Sequence, residues 1–465
     1  MSPTARRLEW PHSLWSAARR AHQPTVVDLS RRFDVAIIGA GYTGLWSAVH
    51  LAELRPDLDI IVLDAAEPGF GASGRNGGWC SGLFPVEIDS LTALHGRDAA
   101  LAMQRAAIDS VEEIGHWINR QGVDCDWAKA GTLTVATNAV QEVRLRGAVD
   151  TLHRHGLDDA DVRWIDGEEL ARRVTVAGAL GASYSPHCAA LHPLKLVNAL
   201  VDRAGELGVA IVGGLRADAI DDTGISGSLD ERPTHIAADW VVRATEGYTP
   251  MLRGARRAVI PLYSYMVATE PLSNDTWRDI GWDARETLAE GRLMVTYAQR
   301  TADGRIAFGG RGAGYRYASR IAGRFDADDT VARRIVATLH ELFPATRGAQ
   351  ITHHWGGPLA VPRDWHPSVV VNRAERRISA GGYVGDGVAL SHLAGRAVAA
   401  AIAGEGSAVL GLPFVNHVGR HWEAEPLRFI GVNAGLRLPV LADAIESRTG
   451  RPATRLGKLM DRLLG

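Results

Sequence analysis

Apolar positions along the chain fall into short runs and helical repeats that alternate in a set order. Asp34-Val35-Ala36-Ile37-Ile38 is a short apolar run of the kind that forms a buried parallel strand. Gly39-Ala40-Gly41-Tyr42-Thr43-Gly44 follows at once. Leu45, Ala48, Val49 and Ala52 then recur at helical spacing as far as Leu54, and Arg55-Pro56-Asp57 stops the helix. A second apolar run, Ile60–Leu63, ends on Asp64. The pattern predicts a complete βαβ unit at the start of the fold. Further helices are predicted over 98–119, 194–207, 328–343 and about 388–402, and short strands over 131–137, 209–212, 240–245 and 377–380. Between 259 and 311 the pattern changes. Strands near 264–269, 293–297 and 305–309 read as antiparallel, with Asp303-Gly304 as a hairpin turn.

This order predicts an α/β fold of mixed α+β character: a Rossmann-like nucleotide-binding domain interrupted by an antiparallel-sheet substrate domain. The nucleotide-binding domain takes 33–95, 186–258 and 350–410. The substrate domain takes 96–185 and 259–349. Residues 1–32 wrap the surface, and 411–465 form a helical extension. Neither repeats nor low-complexity tracts break the pattern.

Composition narrows the function. The 465 residues carry a formal charge of −2, which argues against a nucleic-acid partner held by bulk positive charge. Lysines are confined to Lys129, Lys195 and Lys458, so the basic residues are almost all arginine. Cys80, Cys125 and Cys188 are widely spaced, which excludes a disulfide framework or a Cys-rich zinc site and points to a reducing cytoplasm. No apolar run is long enough to span a bilayer, and the N-terminus lacks the apolar stretch of a secretory signal.

The 51 glycines are clustered. In the first cluster, Gly39 permits the tight turn, Gly41 lets a pyrophosphate approach the backbone, and Gly44 lets helix and strand pack closely. The helix N-terminus supplies N–H groups and partial positive charge to phosphates. Asp64, about 20 residues further on at the end of the second strand, suits ribose hydroxyls. This motif alone does not separate NAD from FAD. A second cluster, Gly71-Ala72-Ser73-Gly74-Arg75-Asn76-Gly77-Gly78, joins a guanidinium and polar side chains to bare backbone amides, as a pyrophosphate or a flavin edge requires; the alternative is a surface loop. In the third, Gly385 and Gly387 lead into the last apolar helix, whose dipole suits a small anionic acceptor; the alternative is a turn with glycines for packing. Asp386 there reads as a helix cap.

The segments DVAIIGAGYTGLWSAVHLAE, GFGASGRNGG, VVRATEGY, PLYSYMVATEPL, DGRIAFGGR and GYVGDGVALSHLAGR resemble the D-amino-acid-oxidase-type (DAO) FAD-dependent oxidoreductases over about 33–405. GFGASGRNGG and ATEPL are most similar to the gamma-glutamylputrescine oxidase and glycine oxidase-like branch. The resemblance implies an enzyme that oxidises the C–N bond of an amine or amino acid to an imine, with O2 or another electron acceptor reoxidising the flavin. It implies FAD contacts at Gly39, Gly41, Tyr42, Thr43, Gly44, Asp64, Ala65, Gly71, Ala72, Ser73, Gly74, Arg75, Asn76, Gly77, Gly78, Thr245, Gly247, Gly385, Asp386, Gly387 and Val388, and places Ala217 against adenine. It also implies that FAD is non-covalent, because the segment 355–364, where flavinylated relatives carry a cysteine, has none. A lysine that assists oxygen in some relatives has no counterpart among the three lysines here.

Candidate side chains for the reaction lie on the antiparallel strands. Tyr263 and Tyr265 alternate with Ser264 and so share a face. With Tyr297 on a later strand they are expected to roof the flavin, Tyr263 and Tyr297 in catalysis and Tyr265 in substrate binding; core packing is the competing reading. Arg311 suits a substrate carboxylate, with a surface or FAD-side ion pair as the alternative. No metal is expected: His353 and His354 are adjacent strand positions that point oppositely. His392 reads as structural. Leu456, Leu459, Met460, Leu463 and Leu464 sit at helical spacing and would dock on the body or on a second subunit of a homodimer, with a membrane surface as the alternative.

Overall fold

The computed structural model describes residues 12–20, 27–311, 314–457 and 459. Two eight-stranded sheets organise the fold. The first is parallel at its centre, in the order β8 (Ala210–Val212), β2 (Ile60–Leu63), β1 (Phe33–Ile38), β11 (Arg232–Arg243) and β18 (Arg377–Gly381). Antiparallel β17 (Ser368–Asn372) closes one side, and β9 (Leu215–Asp221) and β10 (Gly224–Leu229) extend the first half of β11 as a meander. Val35, Ile37, Ile60 and Val62 are wholly or almost wholly buried. A strand covered on both faces must be apolar throughout, which is why these runs do not alternate.

α1 (Tyr42–Leu54) and α9 (Gly387–Ala403) pack on that sheet and on each other through small residues. A side chain at Gly395 would sit 2.7 Å from the Trp46 Cβ, so glycine sets the helix separation. α6 (Pro193–Glu206) packs on the other flank of α1, with Pro193 in its first turn and His192 as its cap. α2 (Ile88–His95) and the 25-residue α3 (Arg97–Gln121) follow β3 (Trp79–Ser81), which pairs with β7 (Cys188–Ala190) in a two-stranded ribbon. α3 packs against α9, so this helix belongs to the core of the nucleotide-binding domain although its residues open the predicted substrate segment.

The second sheet runs β16 (Ile351–Val361), β12 (Ile260–Thr269), β15 (Ile306–Arg311), β14 (Thr296–Arg300), β13 (Thr287–Glu290), β4 (Thr132–Ala136), β6 (Gly181–Ser185) and β5 (Arg163–Asp166). It is antiparallel except where β13 lies parallel to β4. Residues 293–295, predicted to open a strand, are irregular, and the strand begins at Thr296. β16 falls in a segment predicted for the nucleotide-binding domain, yet it pairs with β12 along nearly its whole length. α8 (Asp329–Leu342) covers the outer face of this sheet, and α4 (Ala139–His155), α5 (Gly167–Ala171) and α7 (Asn274–Ile280) flank its edge.

In the described part of the N-terminal segment, Trp15 is buried and its indole N–H donates to the Asn76 carbonyl at 2.8 Å. α10 (Leu427–Gly435) and α11 (Arg437–Thr449) form the extension. Met460, Leu463 and Leu464 lie outside the described residues, as does the side chain of Arg311. Among the described residues no helix is long and apolar enough to cross a membrane.

Candidate active site

The turn after β1 is defined by what it excludes. Gly39 has φ +108°, and a side chain there would lie 2.4 Å from the Ala244 carbonyl oxygen. At Gly44 a Cβ would stand 1.9 Å from the Gly39 oxygen. The close approach brings the start of α1 to the end of β1. The first N–H groups of that helix have no intrahelical acceptor and carry its positive dipole end. Asp64, at the end of β2, accepts from the Ala66 amide at 2.8 Å and the Ala40 amide at 2.7 Å. Burial pushes its carboxyl up, and these two bonds draw it back in part. Asp64 therefore braces the turn; Ala65 beside it is exposed. The Leu215 amide donates to the Asp64 carbonyl at 2.9 Å, which brings β9 and Ala217 to the same end.

The second cluster is tied to the first by side-chain and backbone bonds. The Tyr42 amide donates to Ser73 Oγ at 2.9 Å, and the Gly69 amide to the Ala40 carbonyl at 3.0 Å. Ala72–Gly74 form a 3-10 turn with Gly71 at its N-cap, and Gly74 has no room for a Cβ, which would meet the Gly69 oxygen at 2.3 Å. Asn76 folds over this turn and accepts from the Gly78 amide. Cβ atoms at Gly77 and Gly78 would meet the Tyr297 ring at 2.7 Å and Gln299 Nε2 at 2.0 Å. These two glycines let the second domain's β14 approach the nucleotide-binding loop.

Arg75 is held by several protein partners. Its guanidinium is buried, donates to the Phe70 carbonyl at 2.7 Å, pairs with Asp326 at 3.0 Å and reaches the Tyr248 hydroxyl at 3.4 Å. It stacks over the Phe70 ring. In this arrangement it joins the two domains.

The third cluster closes the site. Thr43 Oγ1 and the Tyr383 hydroxyl lie 2.9 Å apart. Gly385 has φ +122° just before α9. Asp386 occupies the N-cap position of α9 but makes no side-chain capping bond, so the expected cap is not formed; Gly387 and Val388 begin the helix. Thr245 Oγ1 bonds Thr249 Oγ1 at 2.8 Å, and a Cβ at Gly247 would meet the Pro358 oxygen at 2.9 Å. Glu246 was not expected here. It is held at φ +41° and accepts from the Gly382 amide at 2.8 Å and the Ala360 amide at 3.3 Å. Burial pushes its carboxyl up to about 7, against the pull of those amides. Its only sequence signal is the single acid of the VVRATEGY segment.

The tyrosines divide between two faces. Tyr263 and Tyr265 do share a face, with ring centroids 6.0 Å apart, but that face belongs to the outer core with Phe308 and α8. The Tyr265 hydroxyl donates to the Phe325 carbonyl at 2.7 Å. Tyr297 faces the inner core, edge-on to Trp79, with its hydroxyl 2.8 Å from Ser264 Oγ. The backbone of Arg311 pairs with Ser264 at the end of β15.

The other candidates have structural settings. His353 and His354 do separate, His353 toward the His12 ring and His354 Nε2 to Asp329 at 3.2 Å. His392 is buried edge-on against Trp46, burial drives its pKa well down, and its Nδ1 makes no hydrogen bond. All three cysteines are buried and free.

Two helix N-termini and three glycine turns that converge beside a second sheet define an oxidoreductase built to bind a dinucleotide cofactor. The family model for FAD dependent oxidoreductases, DAO, matches residues 34–401, and the chain belongs to that family. It is 30% identical over 404 residues to the gamma-glutamylputrescine oxidoreductase of Escherichia coli, covering 85% of this chain and 90% of that protein. It is 29% identical over 388 residues to the probable oxidoreductase OrdL of Haemophilus influenzae, covering 80% and 83%. Among solved structures, glycine oxidase from Geobacillus kaustophilus superposes with a TM-score of 0.68 at 18% identity, over 83% of this chain and 100% of that one. The cofactor is FAD. The residues present fit it: the close-packed glycine turns admit no side chains, and the Trp79 indole N–H, beside Tyr297, is buried without a hydrogen-bond partner.

Proposed function

We propose that this protein oxidises the C–N bond of an amine or amino acid to an imine, which water then hydrolyses. The supporting observation is the Ser264–Tyr297 hydroxyl pair, 2.8 Å apart, on the inner face of the second sheet where β14 meets Gly77. FAD, held non-covalently by the three glycine turns, supplies a two-electron acceptor for this chemistry when bound. The chain's own part is to orient a neutral amine and exclude water. Trp79 and the Tyr297 ring supply apolar walls, and the hydroxyl pair supplies a donor and an acceptor for a substrate polar group. The likeness to a gamma-glutamylputrescine oxidoreductase supports an aliphatic amine with a remote carboxylate as substrate.

We further propose molecular oxygen as the final acceptor, with release of H2O2. A dehydrogenase with another acceptor is favoured by one observation. Lys129 is paired with Glu112, and Lys195 with Asp126 at 2.6 Å, so neither side chain is available to assist oxygen. A panel of amines and amino acids added anaerobically should bleach the flavin absorbance for at least one member. Peroxide formed on admitting air separates oxidase from dehydrogenase. If no amine or amino acid bleaches the flavin, the reading is wrong.

A further inference from the structure

His95, at the C-terminal end of α2, His366, in the loop before β17, and His417, at the start of the extension, come together on the surface of the nucleotide-binding domain. One ring nitrogen from each lies within 4.8 Å of the others. The rings of His366 and His417 stack with centroids 3.7 Å apart, and His95 lies 5.8 Å from His366 and 6.2 Å from His417.

The partners of the outer nitrogens define which atoms are left. His417 Nε2 is 2.7 Å from Asp364 Oδ2. His366 Nδ1 is 2.8 Å from the Pro367 carbonyl. A carbonyl accepts only, so His366 carries its proton on Nδ1 and leaves Nε2 as a bare lone pair. That Nε2 is buried without a hydrogen-bond partner on a residue only 2% exposed. An orphaned acceptor in such a place is costly unless something occupies it. The Asp364 carboxylate likewise orients His417 so that its Nδ1 is the free nitrogen. A carboxylate or carbonyl behind each imidazole is the arrangement that fixes tautomer and raises basicity in metal-bound histidines. Phe84 packs edge-on against His366 and fixes its ring.

We propose that His95, His366 and His417 bind a divalent cation of the zinc class, with Asp364 as the positioning residue behind His417. Three imidazoles and no thiolate or carboxylate in the inner set suit zinc and its late first-row neighbours rather than magnesium or calcium. Zinc–nitrogen bonds of about 2.0–2.1 Å in tetrahedral geometry require the nitrogens to close to roughly 3.4 Å. Imidazole lone pairs lie in the ring plane, so the His417 ring must also turn out of its stack on His366 for both nitrogens to face one ion. His95 ends a helix at the surface and His417 lies in a loop, so both can move while His366 stays fixed. The fourth position faces solvent and takes water. The bound cation joins the extension to the end of α2 and to the loop before β17, which clasps segments far apart in the chain.

The test uses the full-length, flavin-loaded protein, stripped with a chelator and exchanged into chelator-free buffer. Calorimetric titration with Zn2+ should give one equivalent per chain, and Co2+ should give the visible d–d absorption of a low-symmetry, four- or five-coordinate site. His95→Ala and His417→Ala should each weaken Zn2+ binding by at least about 100-fold, and Asp364→Asn by about 10–100-fold, while flavin absorbance stays unchanged. Bound Zn2+ should raise Tm in the native chain and not in His417→Ala. The proposal is overturned if no stoichiometric binding occurs, or if it persists at native affinity in the His95→Ala, His417→Ala double variant with flavin retained.

Discussion

The hydroxyls of Thr43 and Tyr383 meet at 2.9 Å across 340 residues of sequence, joining the first glycine turn to the third. Both groups are buried, and burial drives the Tyr383 phenol far above its ordinary range. Removing one partner leaves the other hydroxyl unsatisfied in an apolar place, at a cost of about 1–3 kcal/mol. Because the bond holds the start of α1 against the loop that leads into α9, the loss falls on FAD binding. Tyr383→Phe should raise the Kd for FAD about tenfold, measured by flavin fluorescence during reconstitution. An unchanged Kd would mean the pair does not set the geometry of the cofactor turns.

Gly41 tests the pyrophosphate placement. Its Cβ would stand 2.8 Å from Ser73 Oγ, the acceptor of the Tyr42 amide. Valine there displaces that hydroxyl and puts methyl groups where the backbone must approach a phosphate. Gly41→Val should purify colourless yet folded, as judged by circular dichroism. Full flavin content in that variant would remove the pyrophosphate from this turn.

What the sequence showed depended on how local the signal was. The βαβ unit, the long helices and the glycine turns are set by neighbours within a few residues, and the strand at 33–38 and the helices at 42–54 and 387–403 fall where the apolar pattern placed them. β16 was misassigned because a strand's sheet is chosen by distant partners, here β12, and pattern does not encode that choice. The tyrosines show the same limit. Alternation correctly put Tyr263 and Tyr265 on one face, but which core that face meets depends on α8 and Phe325, far along the chain. The Arg75–Asp326 pair was not legible, because Asp326 is 251 positions away (326 minus 75) and carries no motif. Glu246 and the three clustered histidines had no spacing signal at all.

Glu246 gives a pH dependence with a definite sign. Its folded pKa of about 7 lies above the ordinary 4.5, so the folded chain binds the proton more tightly than the unfolded one. The stabilisation is fully present below about pH 4.5 and is lost as the pH rises through 7, on the order of 3 kcal/mol in all. Glutamine does not titrate. The stability of Glu246→Gln relative to the native chain should therefore improve by about that amount between pH 4.5 and 8, followed by urea unfolding at each pH. Parallel curves for the two proteins would contradict the burial of an ionisable carboxyl at this position.

The division of the tyrosines separates a functional from a structural phenol. Tyr297 faces the inner core with its hydroxyl on Ser264, next to Gly77, whereas the Tyr265 hydroxyl is bonded to the Phe325 carbonyl in the outer core. Each phenylalanine variant removes one hydrogen bond of about 1 kcal/mol, yet the two losses should appear in different measurements. Tyr297→Phe should lower kcat/KM for the active amine about tenfold with flavin content and Tm nearly unchanged, because the hydroxyl pair orients substrate. Tyr265→Phe should lower Tm by a few degrees and leave kcat/KM within about twofold, because its bond packs a loop onto the sheet. The reverse pattern, a kinetic defect in Tyr265→Phe and only a stability loss in Tyr297→Phe, would move the reacting site to the outer face of the sheet.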